Sequence, residues 1–331
     1  MSGAIGGRTP APIGYFGKLP SRGDFVKSGD NLGLIKVLDD WLAGAMELLS
    51  VDPRWKLTYD AIAPLQFAFI GPRRGRAIAG YIVASSDQSH RRFPFLMMSA
   101  IDIDDPAGFV PNSPLVLSRL WNRLETLTAG VMGAPEPAAA LAAVAAQTVE
   151  LDLRACAYEA AFSDFLELQT VGALDAMLAR TGFTGSVRQV LLALGLLLQP
   201  VMASGSSRLE KSLVLPLPDD PVYRNLVGAF WMHLITPFLA RADFELSLFV
   251  TRVRGQQALV LGFSGASAAT LHALMEPQAA RQHHITFDEL AWVEEQIDSD
   301  SGVKKVSAYL AQANLSLKSA HDSVRAAFIG I

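Results

Sequence analysis

Residues 65–84 read LQFAFIGPRRGRAIAGYIVA, and this stretch decides the class of fold. Residues 65–70 and 77–84 are apolar runs of strand length, and the sequence GPRRGR between them supplies turn-forming glycine and proline. The stretch therefore predicts two neighbouring strands joined by a tight turn. Residues 93–101 are also mostly apolar and predict a third strand soon afterwards.

Amphipathic helices are predicted on both sides of these strands. Upstream, apolar residues recur at intervals of three and four from Leu34 to Leu49, which indicates a helix with one buried face. Downstream, residues 115–127 carry a similar pattern. Because Pro135 and Pro137 cannot continue that helix, they mark the clearest candidate boundary in the chain.

The second half again mixes helices and strands. The predicted elements are helices over residues 138–158, 163–180 and 186–199, the last ended by Pro200, a strand over 212–217, a helix around 226–238, a hairpin of 244–253 and 256–263, and a short helix ending at Met275. Interleaving of this kind favours an α/β fold. We expect a layered αβα sandwich with a mixed sheet, followed by C-terminal helices.

Three regions are predicted along the chain. They are a motif-bearing N-terminal region over residues 13–132, a second α/β half over residues 138–278 and a helical tail over residues 283–331. The sequence leaves open whether the two halves share one sheet. Residues 1–12 are rich in glycine and proline and are expected to be frayed.

The tail is predicted to be helical. Residues 286–289, TFDE, have the pattern of a capping box at a helix N-terminus, and residues 298–302, DSDSG, separate two helices. In the last helix, apolar residues from Val303 to Ile331 recur at spacings of three and four. Docking of this stripe on the protein's own core is favoured over a detachable arm for a partner.

Composition narrows the class of protein. Lys and Arg number 28 against 32 for Asp and Glu, so a net charge of −4 gives no reason to expect nucleic acid as a partner. The single cysteine, Cys156, excludes an internal disulfide and fits a reducing compartment. The N-terminus lacks the pattern of a secretory signal, and the apolar residues 190–203 fall short of a membrane span. We therefore expect a cytoplasmic protein without membrane insertion.

Familiar catalytic and ligand-binding motifs are missing from the sequence. It has neither a GxxxxGK[ST] nor a GxGxxG loop, and no HExxH pair. Residues 262–265, GFSG, lack the spacing of a nucleophile elbow. His283 and His284 are interpreted as exposed loop histidines, and Ser86, Asp87 and His90 lie too close together in one loop to form a catalytic triad. No catalytic residue, metal site or cofactor is predicted.

Two polar stretches stand out between apolar runs. They are residues 18–26, KLPSRGDFV, and residues 85–94, SSDQSHRRFP. Composition alone favours two strand-connecting loops held by their own Asp side chains and by Arg–Asp pairs. A functional surface is the alternative. If the two loops meet at one end of the sheet, Arg22 and Asp24 would lie near Asp87 and Arg91.

Residues 14–26, GYFGKLPSRGDFV, closely resemble the N-terminal signature of the TagF (ImpM) family of type VI secretion proteins. The resemblance continues through residues 40–42, DWL, and more loosely through residues 86–87 and 92–94. It implies a layered αβα domain and a cytoplasmic accessory protein that restrains type VI secretion assembly after translation. The implied partners are type VI secretion components, commonly a forkhead-associated scaffold protein. Some relatives are fused to a metal-dependent phosphatase, whose Asp-rich motifs are not found here.

Two functional interpretations of this region differ in class. A protein-binding module is favoured, because aromatic residues flank a charged loop, as at many interfaces. Its candidate partner-binding residues are Tyr15, Phe16, Lys18, Ser21, Arg22, Asp24, Asp87, Arg91 and Arg92. The alternative is a hydrolytic enzyme whose site would be built from Lys18, Ser21, Asp24 and Asp87.

Overall fold

The computed structural model describes residues 7–28, 32–204 and 209–330. The strands in these ranges are β1 (Thr9–Pro12), β2 (Gly14–Gly17), β3 (Val26–Ser28), β4 (Leu65–Ile70), β5 (Arg76–Val83), β6 (Phe95–Asp102), β7 (Thr148–Leu151), β8 (Ser212–Pro216), β9 (Leu246–Val253), β10 (Gln256–Gly262) and β11 (His284–Thr286).

The predicted helix over residues 163–180 is divided in two, because Gln169 and Thr170 have extended backbone. The same ranges contain fourteen helices. They are α1 (Leu32–Leu49), α2 (Trp55–Asp60), α3 (Pro106–Val116), α4 (Ser118–Met132), α5 (Pro137–Ala145), α6 (Cys156–Leu168), α7 (Val171–Ala179), α8 (Val187–Ser204), α9 (Pro221–Leu239), α10 (Ala268–Met275), α11 (Pro277–His283), α12 (Ala291–Ser299), α13 (Ser301–Leu310) and α14 (Leu317–Phe328).

Nine strands form one sheet in the order β11-β8-β10-β9-β4-β5-β6-β2-β3. Neighbouring strands are antiparallel except β11, which pairs in parallel with β8, so the sheet is mixed as predicted. The strands of both halves of the chain meet where β4 pairs with β9. The division into regions 13–132, 138–278 and 283–331 remains a prediction, but it does not divide the sheet.

Helices cover both faces of this sheet. On one face, α1, α2 and α10 pack on side chains such as Phe67 and Phe249. On the other, α3 to α9 and α12 to α14 bury a larger core that includes Trp121 and Trp231. Each of these two tryptophans donates its indole N–H to a backbone carbonyl, so the rings are buried without an unpaired polar atom. The predicted α/β class with a mixed sheet and C-terminal helices is confirmed.

The predicted helix over residues 138–158 is wrong. The chain forms α5, then the strand β7, and only then α6. β7 pairs with β1 in a separate two-stranded ribbon, so the part of residues 1–12 that spans Thr9–Pro12 is ordered rather than frayed. This pairing buries Ala11, and contacts across about 140 positions of sequence cannot be read from local patterns. Residues 1–6 lie outside the described residues.

Pro200 does not end its helix as predicted. It lies inside α8, which continues to Ser204. The proline is on the exposed side of the helix, where water can replace the missing N–H donor. None of the helices among the described residues is both long and apolar enough to span a bilayer.

The C-terminal tail differs from its prediction in two details. Thr286 ends β11, and α12 begins only at Ala291, so residues 286–289 do not form a capping box. His284 is a buried strand residue and not an exposed loop histidine, because β11 adds to the edge of the sheet beside β8. This pairing depends on tertiary contacts that the local sequence does not encode.

The stripe that begins at Val303 is divided between two helices, α13 and α14, rather than carried by one. The apolar residues of both helices pack into the main core, as the docking interpretation predicts; they include Val303, Leu310, Leu317, Ala320 and Val324. Arg188 of α8 reinforces this contact by binding Ser307 at 2.7 Å and the carboxylate of Glu294. Ile331 lies outside the described residues.

Candidate functional site

The two polar stretches form loops that leave the same end of the sheet. Residues 18–25 join β2 to β3, and residues 84–94 join β5 to β6. Because β2 pairs with β6, the loops come together. The backbone N–H of Gln88 donates to the carbonyl of Arg22 at 2.9 Å, and Arg91 Nη2 donates to the carbonyl of Gly23 at 2.9 Å. The two loops therefore meet, and we call them the two-loop surface.

A buried carboxylate lies at the centre of this surface. Asp87 is 1% exposed, and its oxygens accept hydrogen bonds from Lys18 Nζ at 2.9 Å and Arg91 Nε at 2.7 Å. The backbone N–H groups of Ser89 and Arg91 add two further bonds, each of 2.9 Å. Burial by itself would raise the pKa of the Asp87 carboxyl, but the bonds from Lys18 and Arg91 outweigh it and hold this pKa well below its usual range. Asp87 is therefore a charged centre that fixes both loops.

Further hydrogen bonds fasten the loops to the body of the protein. The Ser85 hydroxyl donates to the carbonyl of Lys18 at 2.7 Å, and the Tyr59 hydroxyl both donates to and accepts from the backbone of Ser85 at 2.9 Å. Arg92 Nε and Nη2 bind the two carboxylate oxygens of Asp60 at 2.8 and 2.6 Å. These bonds connect residues 84–94 to α2, so the surface is preorganised.

An aromatic cluster forms the apolar part of the surface. Phe25 stacks on Phe16 with ring centroids 5.5 Å apart and meets the edge of Phe93 at 4.9 Å. Lys18 Nζ lies 5.1 Å from the centroid of the Phe25 ring, within the range of a cation–π contact. Phe25 nevertheless remains 46% exposed. A large ring held on three sides but open to solvent is a fitting contact residue for a protein partner.

The candidate residues divide into buried and accessible groups. Tyr15, Phe16, Lys18 and Asp87 are buried and cannot contact a partner without rearrangement. The accessible candidates are Ser21, Asp24 and Arg91, which are exposed, and Arg22 and Arg92, which are partly buried.

Sequence reasoning missed Phe25 as an individual site residue. Its signal was present, since a phenylalanine directly after the polar turn SRGD has no local reason to be buried.

The arrangement offers little to a metal ion. Within the part of the chain that the structure describes, no group of three or more His, Cys, Asp and Glu side chains is placed to hold one. The two-loop surface thus consists of a buried ion pair, an aromatic ring held by its neighbours and exposed or partly buried charged side chains.

Fold and site together define a layered α/β protein that presents a rigid, loop-built surface at one end of its sheet. Residues 14–148 match the TagF N-terminal domain, which is type VI secretion system-associated. The predicted resemblance to the TagF family is therefore confirmed for this segment of the chain. The matched segment includes both loops of the surface and every strand from β2 to β6.

Other comparisons cover less of the protein. The crystal structure of PA0076 from Pseudomonas aeruginosa PAO1 is 28% identical in sequence, covers 40% of this chain and has a TM-score of 0.35. The match spans 61% of that protein's own chain, which is less than two thirds. No curated protein matches the sequence.

Proposed function

We propose that this protein restrains the assembly of a type VI secretion system by binding one of its components through the two-loop surface. The observation that carries the proposal is the half-exposed Phe25 ring, held rigidly inside the segment that matches the TagF N-terminal domain. The component that we favour is a forkhead-associated scaffold protein. Binding takes place in the cytoplasm, where the exposed thiol of Cys156 remains reduced.

The rigidity of the two loops supports the proposed role in partner binding. A partner that meets a preformed surface loses little free energy to ordering of the loops, so more of the contact energy appears as affinity. Here the buried Asp87 and the bidentate bond between Arg92 and Asp60 order the loops before any partner arrives. Phe25 then acts as the apolar centre, and the charged side chains around it form the rim.

Local charge indicates the kind of partner surface. The two loops, Lys27 of β3 and Asp60 of α2 together carry five cationic side chains and three acidic ones, although the whole chain has a net charge of −4. The cations are Lys18, Arg22, Lys27, Arg91 and Arg92, and the acids are Asp24, Asp60 and Asp87. An acidic surface with an apolar pocket for the Phe25 ring would complement this pattern.

The hydrolytic alternative has weaker support. Lys18 and Asp87 bind each other in the interior, where a substrate cannot reach them. Ser21 and Asp24 are exposed, and neither forms a hydrogen bond or ion pair with another described residue. A nucleophile needs a neighbouring base within hydrogen-bond reach, and none of the described residues supplies one to Ser21. These placements favour recognition over catalysis.

The proposal predicts that Phe25→Ala weakens binding to purified type VI components by at least about 2 kcal/mol, and Arg22→Ala by more than about 1 kcal/mol. Isothermal titration calorimetry with the scaffold and the other soluble components measures both. Leu168→Ala is the matched control, because Leu168 is an exposed apolar residue at the end of α6, outside both loops.

A cellular experiment tests the restraint itself. A several-fold excess of the wild-type protein should lower export of the secreted tube protein without lowering its cellular amount, because a stoichiometric binder acts by mass action. The Phe25→Ala protein at the same cellular level should not lower export of the tube protein. Unchanged export with excess wild-type protein would refute the proposed restraint.

A further inference from the structure

A second surface lies at the opposite end of the sheet. β5 runs from Arg76 to Val83, and the two-loop surface follows its C-terminal end. Next to its N-terminal end is a groove of about 700 Å³ between α1, the β4–β5 turn and the loop after β10. Its position and lining do not overlap with the two-loop surface, so nothing inferred about it depends on the proposed restraint of secretion.

The floor and one wall of the groove are apolar. Phe69 and Ile78 of the sheet are only partly buried, and Ala266 flanks them. Val37 of α1 completes the wall and is 50% exposed. Large aliphatic and aromatic surfaces that remain open to water at a concave site favour binding of an apolar group.

The walls of the groove are fixed by contacts beneath it. Trp41 of α1 packs its ring edge against Phe69 with centroids 4.9 Å apart and donates its indole N–H to the carbonyl of Ser267 at 3.2 Å. The N–H of Gly265 donates to the carbonyl of Glu245 at 2.7 Å. Helix, strand and loop are thus connected to one another, and the groove exists before any occupant enters it.

The rim of the groove carries both signs of charge. Arg74 pairs with Asp243 at 3.2 Å and with Glu245 at 3.0 Å, and Arg76 pairs with Asp102 at 2.8 Å. Arg73 is exposed and forms no ion pair or hydrogen bond with any described residue. One guanidinium at the rim is therefore uncompensated, next to two that already have acidic partners.

We propose that this groove binds a short peptide segment of a protein partner, with an apolar side chain seated against Phe69 and Ile78 and an adjacent carboxylate bound to Arg73. Guanidinium binds carboxylate with two parallel hydrogen bonds, which gives this contact both strength and direction. The N–H groups of a peptide can also donate to Glu245 and Asp102. An amphipathic small anion has no such donors and would only bring another negative charge close to these carboxylates.

A random heptapeptide library displayed on phage tests the proposal against the purified full-length protein. The enriched sequences should share an apolar residue next to Asp or Glu. Synthetic fluorescent copies should bind at least tenfold more weakly, by fluorescence anisotropy, to the Val37→Lys and Arg73→Glu variants. Arg73→Glu should regain affinity for copies in which the acidic residue is replaced by lysine.

Leu48→Lys provides the matched control. Leu48 is 41% exposed, belongs to the same helix as Val37 and lies three turns further along the same side, about 16 Å away. Its substitution should not change peptide binding. Because Arg73 is an exposed turn residue, Arg73→Glu is expected to fold even if Val37→Lys does not.

Four outcomes would overturn the proposal. The first three are a selection that enriches no sequence, peptides that bind the Val37→Lys and wild-type proteins equally, and peptides whose binding depends on Phe25 instead. Tighter binding of dodecanoate than of any selected peptide would also overturn it, because the occupant would then be a small amphiphile.

Discussion

At the scale of single residues, Asp87 and Phe25 have opposite roles in one surface. Asp87 is buried and charged, and its hydrogen bonds to Lys18 and Arg91 determine where both loops lie. Phe25 is positioned by those loops, but one face of its ring is exposed to solvent. Loss of the first should therefore reduce stability, and loss of the second should reduce binding.

Asp87→Asn should lower the melting temperature by several degrees. The amide keeps the shape of the carboxylate but leaves the buried ammonium of Lys18 without a counter-charge, and an unpaired buried charge is strongly destabilising. Asp24→Asn, at an exposed position of the neighbouring loop, should melt like the wild type. Thermal unfolding followed by circular dichroism compares the two variants. Equal melting temperatures would mean that the ion pair does not hold the loops.

At the scale of secondary-structure elements, the surface depends on a close approach of backbone at the end of β2. Gly17 has a φ of 132°, and a Cβ atom there would lie 2.1 Å from the carbonyl oxygen of Pro94 and 2.7 Å from the Cα of Phe95. Both atoms belong to backbone and cannot move without breaking the β2–β6 pairing. Glycine is required at this position for both space and conformation.

Gly17→Ala should destabilise the protein by more than about 1 kcal/mol, because the substitution is strained and the contacted atoms are backbone. Gly23 offers the matched control, since a Cβ there meets nothing within 4 Å and its φ is not positive. Gly23→Ala should be neutral or stabilise by up to about 1 kcal/mol. Urea unfolding measures both free energies, and a neutral Gly17→Ala would contradict the described geometry.

At the scale of the whole molecule, the partly buried His233 and the buried His284 make stability depend on pH. His233 of α9 stacks on Phe162 at 4.5 Å and contacts Asn112 at 3.1 Å. Burial first, and then the nearby His321 and Arg325, lower the pKa of His233 to about 4. Burial likewise lowers the pKa of His284, at the edge of the sheet, to about 4.

Acidification should therefore destabilise the fold. An unfolded histidine takes up its proton near pH 6.5, but these two remain neutral in the folded protein until about pH 4. Between these values the unfolded state binds more protons, so stability falls as the pH falls. Between pH 7 and pH 5, each histidine should lower the free energy of unfolding by about 2 kcal/mol.

Urea unfolding of wild type and the His233→Asn variant at both pH values tests this expectation. The variant should lose less stability on acidification than the wild type. The exposed Leu168 provides the control, and Leu168→Ala should leave the pH dependence unchanged. A wild-type protein that is equally stable at pH 7 and pH 5 would contradict the burial of both rings.

Local sequence by itself determined those strands and helices whose sequence patterns lie within the element. The hairpin of β4 and β5 follows from two apolar runs around a glycine-rich turn, and α1 follows from its periodic apolar face. The signature of residues 14–26 likewise located the two-loop surface and the family resemblance. Such patterns suffice because strand alternation, turn conformation and helix periodicity each act over a few residues.

Tertiary structure alone decided which of those residues are buried and which are accessible. Lys18 and Asp87 are 69 positions apart, and only the pairing of β2 with β6 brings them into one buried ion pair. The ribbon of β1 and β7 and the parallel addition of β11 to β8 likewise depend on distant partners. Burial and strand pairing are properties of contacts between remote segments. The free energy that selects them arises only when the whole chain excludes water from a common core.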